Sequence, residues 1–155
     1  MTNQSNRTAV ITGAGDGIGR ALAINLNSRG IDLYLCDIDR ERLDATAGML
    51  NSDGVTVSTA VVDCGNREQI ETWAEMICAE NDSLDFLFNN AGVGYASPFR
   101  DASLENFEWL MNINYWGVVW STKAFLPLLE ASPAGHLVNI SSIFGMVGIA
   151  TQSAY

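Results

Sequence analysis

The sequence predicts an α/β fold, a doubly wound parallel sheet with helices on both faces that runs as far as a fifth strand. Three observations carry this expectation. Short apolar runs of strand length alternate with amphipathic stretches of helical period along the whole chain. The first run is joined to the first helix by a glycine turn, Thr12-Gly13-Ala14-Gly15-Asp16-Gly17-Ile18-Gly19. Small or polar residues then follow each apolar run, at Gly13 to Gly19, Asp37, Asp63, Asn90 and Ser142. In a parallel sheet with right-handed crossovers these positions fall at the carboxyl ends of the strands, where such sheets open a crevice.

In chain order, residues 1–7 are polar and are expected to form a loose tail. Residues 8–12 form the first strand. Ile18, Leu22 and Leu26 recur every four residues, which predicts a helix over 18–29 with that face buried and Gly30 as its stop. Ile31 to Asp37 is a nearly continuous apolar run closed by a carboxylate, a buried parallel strand. Asp39 can cap the next helix, on which Leu43, Ala47 and Leu50 share a face. Val55 to Val62 is the third strand, and Asp63 follows it. Asn66 and Gln69 have the spacing of a capping box, ahead of the helical stripe Ile70, Trp73, Ala74 and Ile77. Leu84 to Phe88 is the fourth strand, running into Asn89-Asn90-Ala91-Gly92. Tyr95 to Asp101 follows the crevice and reads as a connecting loop, with contact to a substrate as the alternative. Ser103 can cap a long helical region to Glu130, with Gly117 and Pro127 as possible kinks. That region is apolar on more than one face (Trp109, Leu110, Ile113, Trp116, Val119, Trp120, Phe125, Leu128), which suits deep packing, a subunit interface, or both. Leu137 to Ile140 is the fifth strand, His136 beside it is a surface residue, and a loop with Gly145 and Gly148 leads to Tyr155.

The glycine turn carries chemistry of its own. A strand that turns sharply into a helix leaves backbone N–H groups at the positive end of the helix dipole, a natural seat for phosphate. Glycines permit the sharp turn, the approach of a pyrophosphate and close helix–strand packing. The spacing Gly13, Gly17, Gly19 is G-x-x-x-G-x-G rather than G-x-G-x-x-G, and no Gly-Lys-Ser/Thr follows, so a P-loop is excluded. An ordinary glycine-rich turn is the alternative. Asp37 follows Gly19 by 18 residues, close to the interval of about 20 at which a strand-end carboxylate accepts both hydroxyls of an adenosine ribose and repels a 2′-phosphate. A helix-capping or loop carboxylate is the alternative reading of Asp37. Asp16 adds a second negative charge, while Arg40 is expected to face solvent. NAD is therefore favoured over NADP.

Composition narrows the partners. The chain has 155 residues, 48% of them hydrophobic and 17% charged, enough for one folded domain over 1–155 with a real core. A net charge of −10 argues against nucleic acid or an anionic membrane. No apolar run is long enough to span a bilayer. Cys36, Cys64 and Cys78 are widely spaced and odd in number, which fits three buried free thiols, no metal site and a cytoplasmic location.

Taken together, TGAGDGIG, NNAG after the fourth strand, the Asn of NINYWG, the ISS of strand five and the final Tyr occur in one order. In that ordered set the sequence resembles the short-chain dehydrogenase/reductase family, from about Thr8 to the last residue. The resemblance implies a Rossmann-type fold that binds NAD(H) or NADP(H) and moves a hydride between nicotinamide and a secondary alcohol or ketone. It implies that Gly13, Gly15, Asp16, Gly17, Ile18 and Gly19 line the pyrophosphate and adenosine side, and that Asp37 holds the ribose. Asp63 and the Cys64 backbone would meet adenine, while Asn90, Ala91 and Gly92 would line the cofactor cleft. Asn114 would sit at a break in the long helix and hold a water of the proton relay. Ser142, which stands at the family's interval before the tyrosine where Ser141 does not, would bind the substrate oxygen. Tyr155 would be the general acid/base. A homodimer or homotetramer through the 103–130 helix is also implied.

A phenol of pKa about 10 is a poor base at neutral pH, and lowering it to about 7 takes roughly 4 kcal/mol. In the family a lysine four residues past the tyrosine and the charged nicotinamide supply that stabilisation. The sequence stops at Tyr155, before that lysine and before the later strands. It is therefore expected to be the N-terminal part of a dehydrogenase, truncated after the fifth strand. An open apolar edge, weak cofactor binding and poor turnover would follow. A non-catalytic dinucleotide-binding module and an inactive fragment are the alternatives.

Overall fold

A computed structural model describes residues 6–51 and 53–155. Five parallel strands form one sheet: β1 Thr8–Thr12, β2 Asp32–Asp37, β3 Val57–Val61, β4 Phe86–Asn89 and β5 His136–Asn139. Their order is β3-β2-β1-β4-β5, so the chain steps outward one way from β1 and then crosses back to start the other half. That reversal lies between β1 and β4, whose register pairs Ala9 with Phe86 and Ile11 with Phe88. Helices connect the successive strands. The helices are α1 Gly17–Asn27, α2 Arg40–Ala47, α3 Arg67–Glu80, α4 Leu104–Met111 and α5 Gly117–Ala131.

Two apolar clusters sandwich the sheet, because in a strand successive side chains point to opposite faces. Ala9, Ile11, Leu33, Leu35 and Phe88 pack with Ala23, Leu26 and Leu43 of α1 and α2. Val10, Tyr34, Cys36 and Leu87 pack with Ile70, Trp73, Ile77, Phe125 and Leu128 of α3 and α5. Trp73 meets Phe125 edge to face at 5.6 Å. The central strands are buried on both faces, which is why they read as unbroken apolar runs.

Local signals set the ends. Asp16 caps α1, Asp39 caps α2, Asn66 caps α3 and Ser103 caps α4, each through its side-chain oxygen. Gly30 closes α1 in a Schellman turn, with Ile31 N–H donating to Leu26 C=O and Gly30 N–H to Asn27 C=O.

Several expectations are corrected. The buried face of α1 is Gly19, Ala23 and Leu26, while Ile18 is 58% exposed. In the first turn, the four-residue period runs off the sheet and into the crevice. On α2 the buried pair is Leu43 and Thr46, and the helix ends before Leu50. The Asn66 box is one-sided, because Gln69 Oε1 accepts from Asp63 N–H at 2.8 Å rather than from Asn66. Cys36 and Cys64 are buried, but Cys78 is exposed, one position past the inward-facing Ile77 of α3. Of the expected tail, residues 1–5 lie outside the described residues. Asn6 is tied to Gly54 C=O at 2.7 Å, and Arg7 lies 4.3 Å over the Phe86 ring. The long helix from Ser103 is broken. A π-turn over Asn112–Trp116 separates α4 from α5, just before Gly117, while Pro127 lies inside α5. A Cβ at Gly117 would stand 2.6 Å from Cys64 C=O, so the helix passes that loop only with glycine there. His136 is exposed, as expected, and stacks on Phe86.

Candidate active site

The carboxyl ends of the strands open into one cleft of about 890 Å³. It runs from Asp16, Gly17, Asp37 and Arg42 at one end, past Asn90 to Gly94, to Ser142 and Tyr155 at the other.

The glycine turn is held rigidly from beneath. Thr12 Oγ1 accepts the N–H groups of Asn90 and Ala91, each at 3.0 Å. Asn90 Nδ2 donates to the carbonyls of Thr12 and Gly13, both at 3.0 Å. Gly13 has φ +65°, and a Cβ there would meet Ala91 Cα at 2.8 Å, so both the conformation and the close approach of the loop after β4 require glycine. On the far side the Arg20 guanidinium grips Gly15 C=O and Thr46 Oγ1, tying the turn to α2.

The mouth of the turn is open. Gly17 has φ +52° and nothing within 4 Å of the place a Cβ would take, leaving the cleft wall as bare backbone. Its N–H is used by Asp16 Oδ1 at 2.7 Å. Among the described residues no protein acceptor takes the N–H groups of Ile18 or Gly19, and the intrahelical ladder of α1 begins only at Arg20, which donates to Asp16 C=O. The unpaired N–H of Ile18, at the N-terminus of an eleven-residue helix and beside bare backbone, fits a pyrophosphate.

Asp37 ends β2 with its carboxylate fixed by two backbone donors, Gly15 N–H at 2.8 Å and Asp39 N–H at 2.9 Å. An ionised carboxylate offers about four lone-pair sites, so acceptor capacity remains toward the cleft. Asp16 is exposed beside it, and the Gly17 N–H, followed by the Arg20 guanidinium, holds its carboxyl below the ordinary 3.8. Behind this wall, burial and the adjacent Cys64 push the Cys36 thiol up, so it stays neutral.

At the other end, Ser142 Oγ accepts from Phe144 N–H at 3.2 Å, capping a single 3₁₀ turn. Its own O–H is left to donate. The Tyr155 ring meets Phe144 edge to face at 6.1 Å, and its backbone N–H donates to Gln152 C=O at 3.2 Å. Gln152 in turn bridges to Ser97, and Ser97 N–H donates to Thr151 C=O at 2.8 Å. Asn114 lies in the π-turn and binds the Val93 backbone twice: Oδ1 accepts Val93 N–H and Nδ2 donates to Val93 C=O, each at 2.8 Å. Its side chain thus clamps the helix break onto the loop after β4.

The sequence-derived residues divide in the structure. Gly13, Asp16, Gly17, Ile18, Asp37, Asn90, Ala91, Gly92, Asn114, Ser142 and Tyr155 share the cleft. Gly15 and Gly19 stand behind it, shaping the turn. Asp63 turns its carboxylate onto Gly65 N–H at 2.8 Å, and Cys64 is buried, so neither side chain lines the cleft. Residues 95–101 are not among those lining the cleft. Sequence reasoning missed Arg42, Gln152 and Arg20. Arg40, the arginine it weighed, pairs with Asp44 at 3.7 Å on the solvent side. Arg42, two residues on, faces the cleft. No group of three metal-ligating side chains occurs among the described residues, nor any helix long and apolar enough to cross a membrane.

A five-stranded parallel sheet reversing at β1/β4, with a glycine turn and a strand-end carboxylate at the reversal, defines a Rossmann-type α/β fold. Residues 7–155 match the family model for short chain dehydrogenase. The chain belongs to that family. It is 39% identical over 155 residues to "Putative oxidoreductase SadH" of Mycobacterium tuberculosis, covering 100% of this chain and 56% of the relative. It is 38% identical over 146 residues to human "Estradiol 17-beta-dehydrogenase 11", covering 94% of this chain and 49% of the relative. A short chain dehydrogenase/reductase from Burkholderia phymatum in complex with NAD superposes with TM-score 0.90 at 33% identity, over 100% of this chain and 56% of that one. A metagenomic short-chain oxidoreductase in complex with NADP superposes with TM-score 0.90 at 32% identity, over 97% of this chain and 69% of that one. The chain spans about half the length of the curated relatives it matches.

Proposed function

We propose that this chain is the cofactor-binding part of an oxidoreductase that uses NAD in preference to NADP and acts on a secondary alcohol or ketone. The observation that carries the reading is the continuity of the cleft. One groove of about 890 Å³ joins the glycine turn and Asp37 to Ser142 and Tyr155, so a ligand bound at one end reaches the other. Gly17 and the free N–H group of Ile18 would seat the pyrophosphate, and Asp37 would accept the ribose hydroxyls. When bound, NAD supplies the hydride acceptor.

In the oxidative direction Ser142 O–H donates to the substrate oxygen and holds it as charge develops there. Tyr155 Oη takes the hydroxyl proton, and in the reverse direction returns it. Asn114 fixes the loop at Val93, which lines the cleft between the two ends. The exposed aromatic face of α4 and α5, with Trp109 at 45%, Trp116 at 44% and Trp116 stacked on Trp120 at 6.0 Å, supports a homodimer or homotetramer built on these helices. Three unpaired cysteines and the net charge of −10 support a cytoplasmic setting.

The test is NAD(H)-linked turnover across a panel of secondary alcohols and ketones by the full protein that carries this chain, with and without Tyr155→Phe. General acid/base groups contribute about 10²- to 10⁴-fold. The variant should lose kcat by that factor, with the loss on kcat rather than on NAD affinity. Undiminished kcat would refute the role of Tyr155, and failure to bind NAD would refute the reading of the cleft.

A further inference from the structure

Arg42 stands where the two halves of the adenosine end meet. Its backbone N–H belongs to the cap of α2, donating to Asp39 Oδ1 at 3.1 Å. Its side chain lines the cleft beside Asp16 and Asp37. A Cβ built on Gly15 would touch Arg42 Cβ at 3.0 Å and Asp37 Oδ2 at 2.8 Å, so the arginine stem and the ribose-side carboxylate flank the same point of the turn. The guanidinium is divided between two carboxylates: Nε lies 3.2 Å from Asp39 Oδ2 and Nη1 lies 3.4 Å from Asp16 Oδ2. It thereby bridges the cap of α1 to the cap of α2 across the mouth of the groove.

We propose that Arg42 is a latent 2′-phosphate site, kept from that ligand by Asp16 and Asp39, so that the choice of dinucleotide rests on this three-residue clamp as well as on Asp37. The inference rests on the dinucleotide reading of the cleft. A guanidinium has five N–H donors in a planar fork suited to phosphate oxygens. Here its Nε and one Nη already face carboxylates, and a phosphate arriving at the remaining edge would meet Asp16, Asp37 and Asp39 together. Each carboxylate neutralised both frees guanidinium donors and removes a like charge. Discrimination is then a repulsive element set beside an attractive one. The sequence alone concealed this, because Arg40 and Arg42 lie on different faces of a short helix and only the packing of α2 tells them apart.

The test is a double-mutant cycle on the full protein. Calorimetry gives the ratio of affinity for adenosine 2′,5′-bisphosphate to that for adenosine 5′-monophosphate. It is measured for the parent, Arg42→Gln, Asp16→Asn/Asp39→Asn, and all three substitutions combined. Asparagine caps helices about as well as aspartate, so both caps survive, and far-UV circular dichroism checks this. Arg42→Gln should change the ratio by less than about threefold in the parent. It should lower the ratio by about tenfold or more in the Asp16→Asn/Asp39→Asn background, where the guanidinium is free. Such non-additivity is the signature of a committed group. Equal effects of Arg42→Gln in the two backgrounds would overturn the proposal, since Arg42 would then bind the 2′-phosphate already or never. If the parent and the Asp16→Asn/Asp39→Asn protein bind neither nucleotide, the dinucleotide reading itself fails and the proposal falls with it.

Discussion

Asp37→Ala should weaken NAD binding by about ten- to a hundredfold and shift the preference toward NADP. Gly15 N–H at 2.8 Å and Asp39 N–H at 2.9 Å fix the Asp37 carboxylate before any ligand arrives, so ribose binding costs it no ordering. Two hydroxyl donors to a charged acceptor contribute roughly 1.5–3 kcal/mol each where water is excluded. The groove is open on one side, so a total of about 1.5–3 kcal/mol is the appropriate scale, which gives the stated range. A 2′-phosphate gains by the same change. A unit charge at about 4 Å interacts with roughly 4 kcal/mol at an effective dielectric constant of 20, and with about 1 kcal/mol in water. Relief of a tenfold penalty or more is therefore expected. The assay is titration calorimetry with NAD and with NADP at two salt concentrations, because the repulsive part must shrink as salt rises while the hydrogen-bonded part does not. Unchanged NAD affinity in Asp37→Ala, or a parent protein that already prefers NADP, would refute the reasoning.

Other consequences can be checked independently. Asn114→Leu removes both bonds to the Val93 backbone and should cost about 2 kcal/mol, at roughly 1 kcal/mol each, read as a lower urea midpoint at unchanged slope. Phe125→Ala removes a fully buried ring of α5 that meets Trp73 of α3 in the core and should cost about 3–5 kcal/mol in the same assay. Asp16 has its carboxyl held below 3.8 in the folded state, so its contribution to stability is present above that value and is lost as pH falls through its folded pKa. The difference in urea midpoint between the parent and Asp16→Asn should therefore narrow on going from neutral pH to about pH 3.

Much of the fold was legible locally. Strand cores such as Ala9 to Ile11 and Leu33 to Cys36 are buried on both faces, so their apolar runs announce them without reference to partners. Caps are short-range chemistry, and Asp39, Asn66 and Ser103 each cap a helix through a side-chain oxygen, although Gln69 turns to Asp63 N–H and leaves the Asn66 box open. Element ends moved where a long-range bond decided them. Thr56 N–H donates to Asp32 Oδ1 at 2.7 Å, outside the strand ladder, and β3 starts only at Val57. The π-turn at Asn112–Trp116 was beyond periodicity, because it answers to the Val93 loop and to the Cys64 backbone, both distant in sequence.

The sequence by itself determined the order of strands and helices, the glycine turn, the carboxylate closing β2 and the set of residues that gather at strand ends. Each of these follows from backbone preference or from a period of two or 3.6 residues. Only the tertiary structure decided which of those residues face the cleft. Asp37 ends β2 and Asp63 follows β3, yet Asp63 turns to Gly65 N–H while Asp37 takes Gly15 N–H at the groove. Arg40 and Arg42 are two residues apart, yet one meets Asp44 in solvent and the other spans Asp16 and Asp39. A side chain's final direction is set by what packs against its element from far along the chain, and that information is absent from any local pattern.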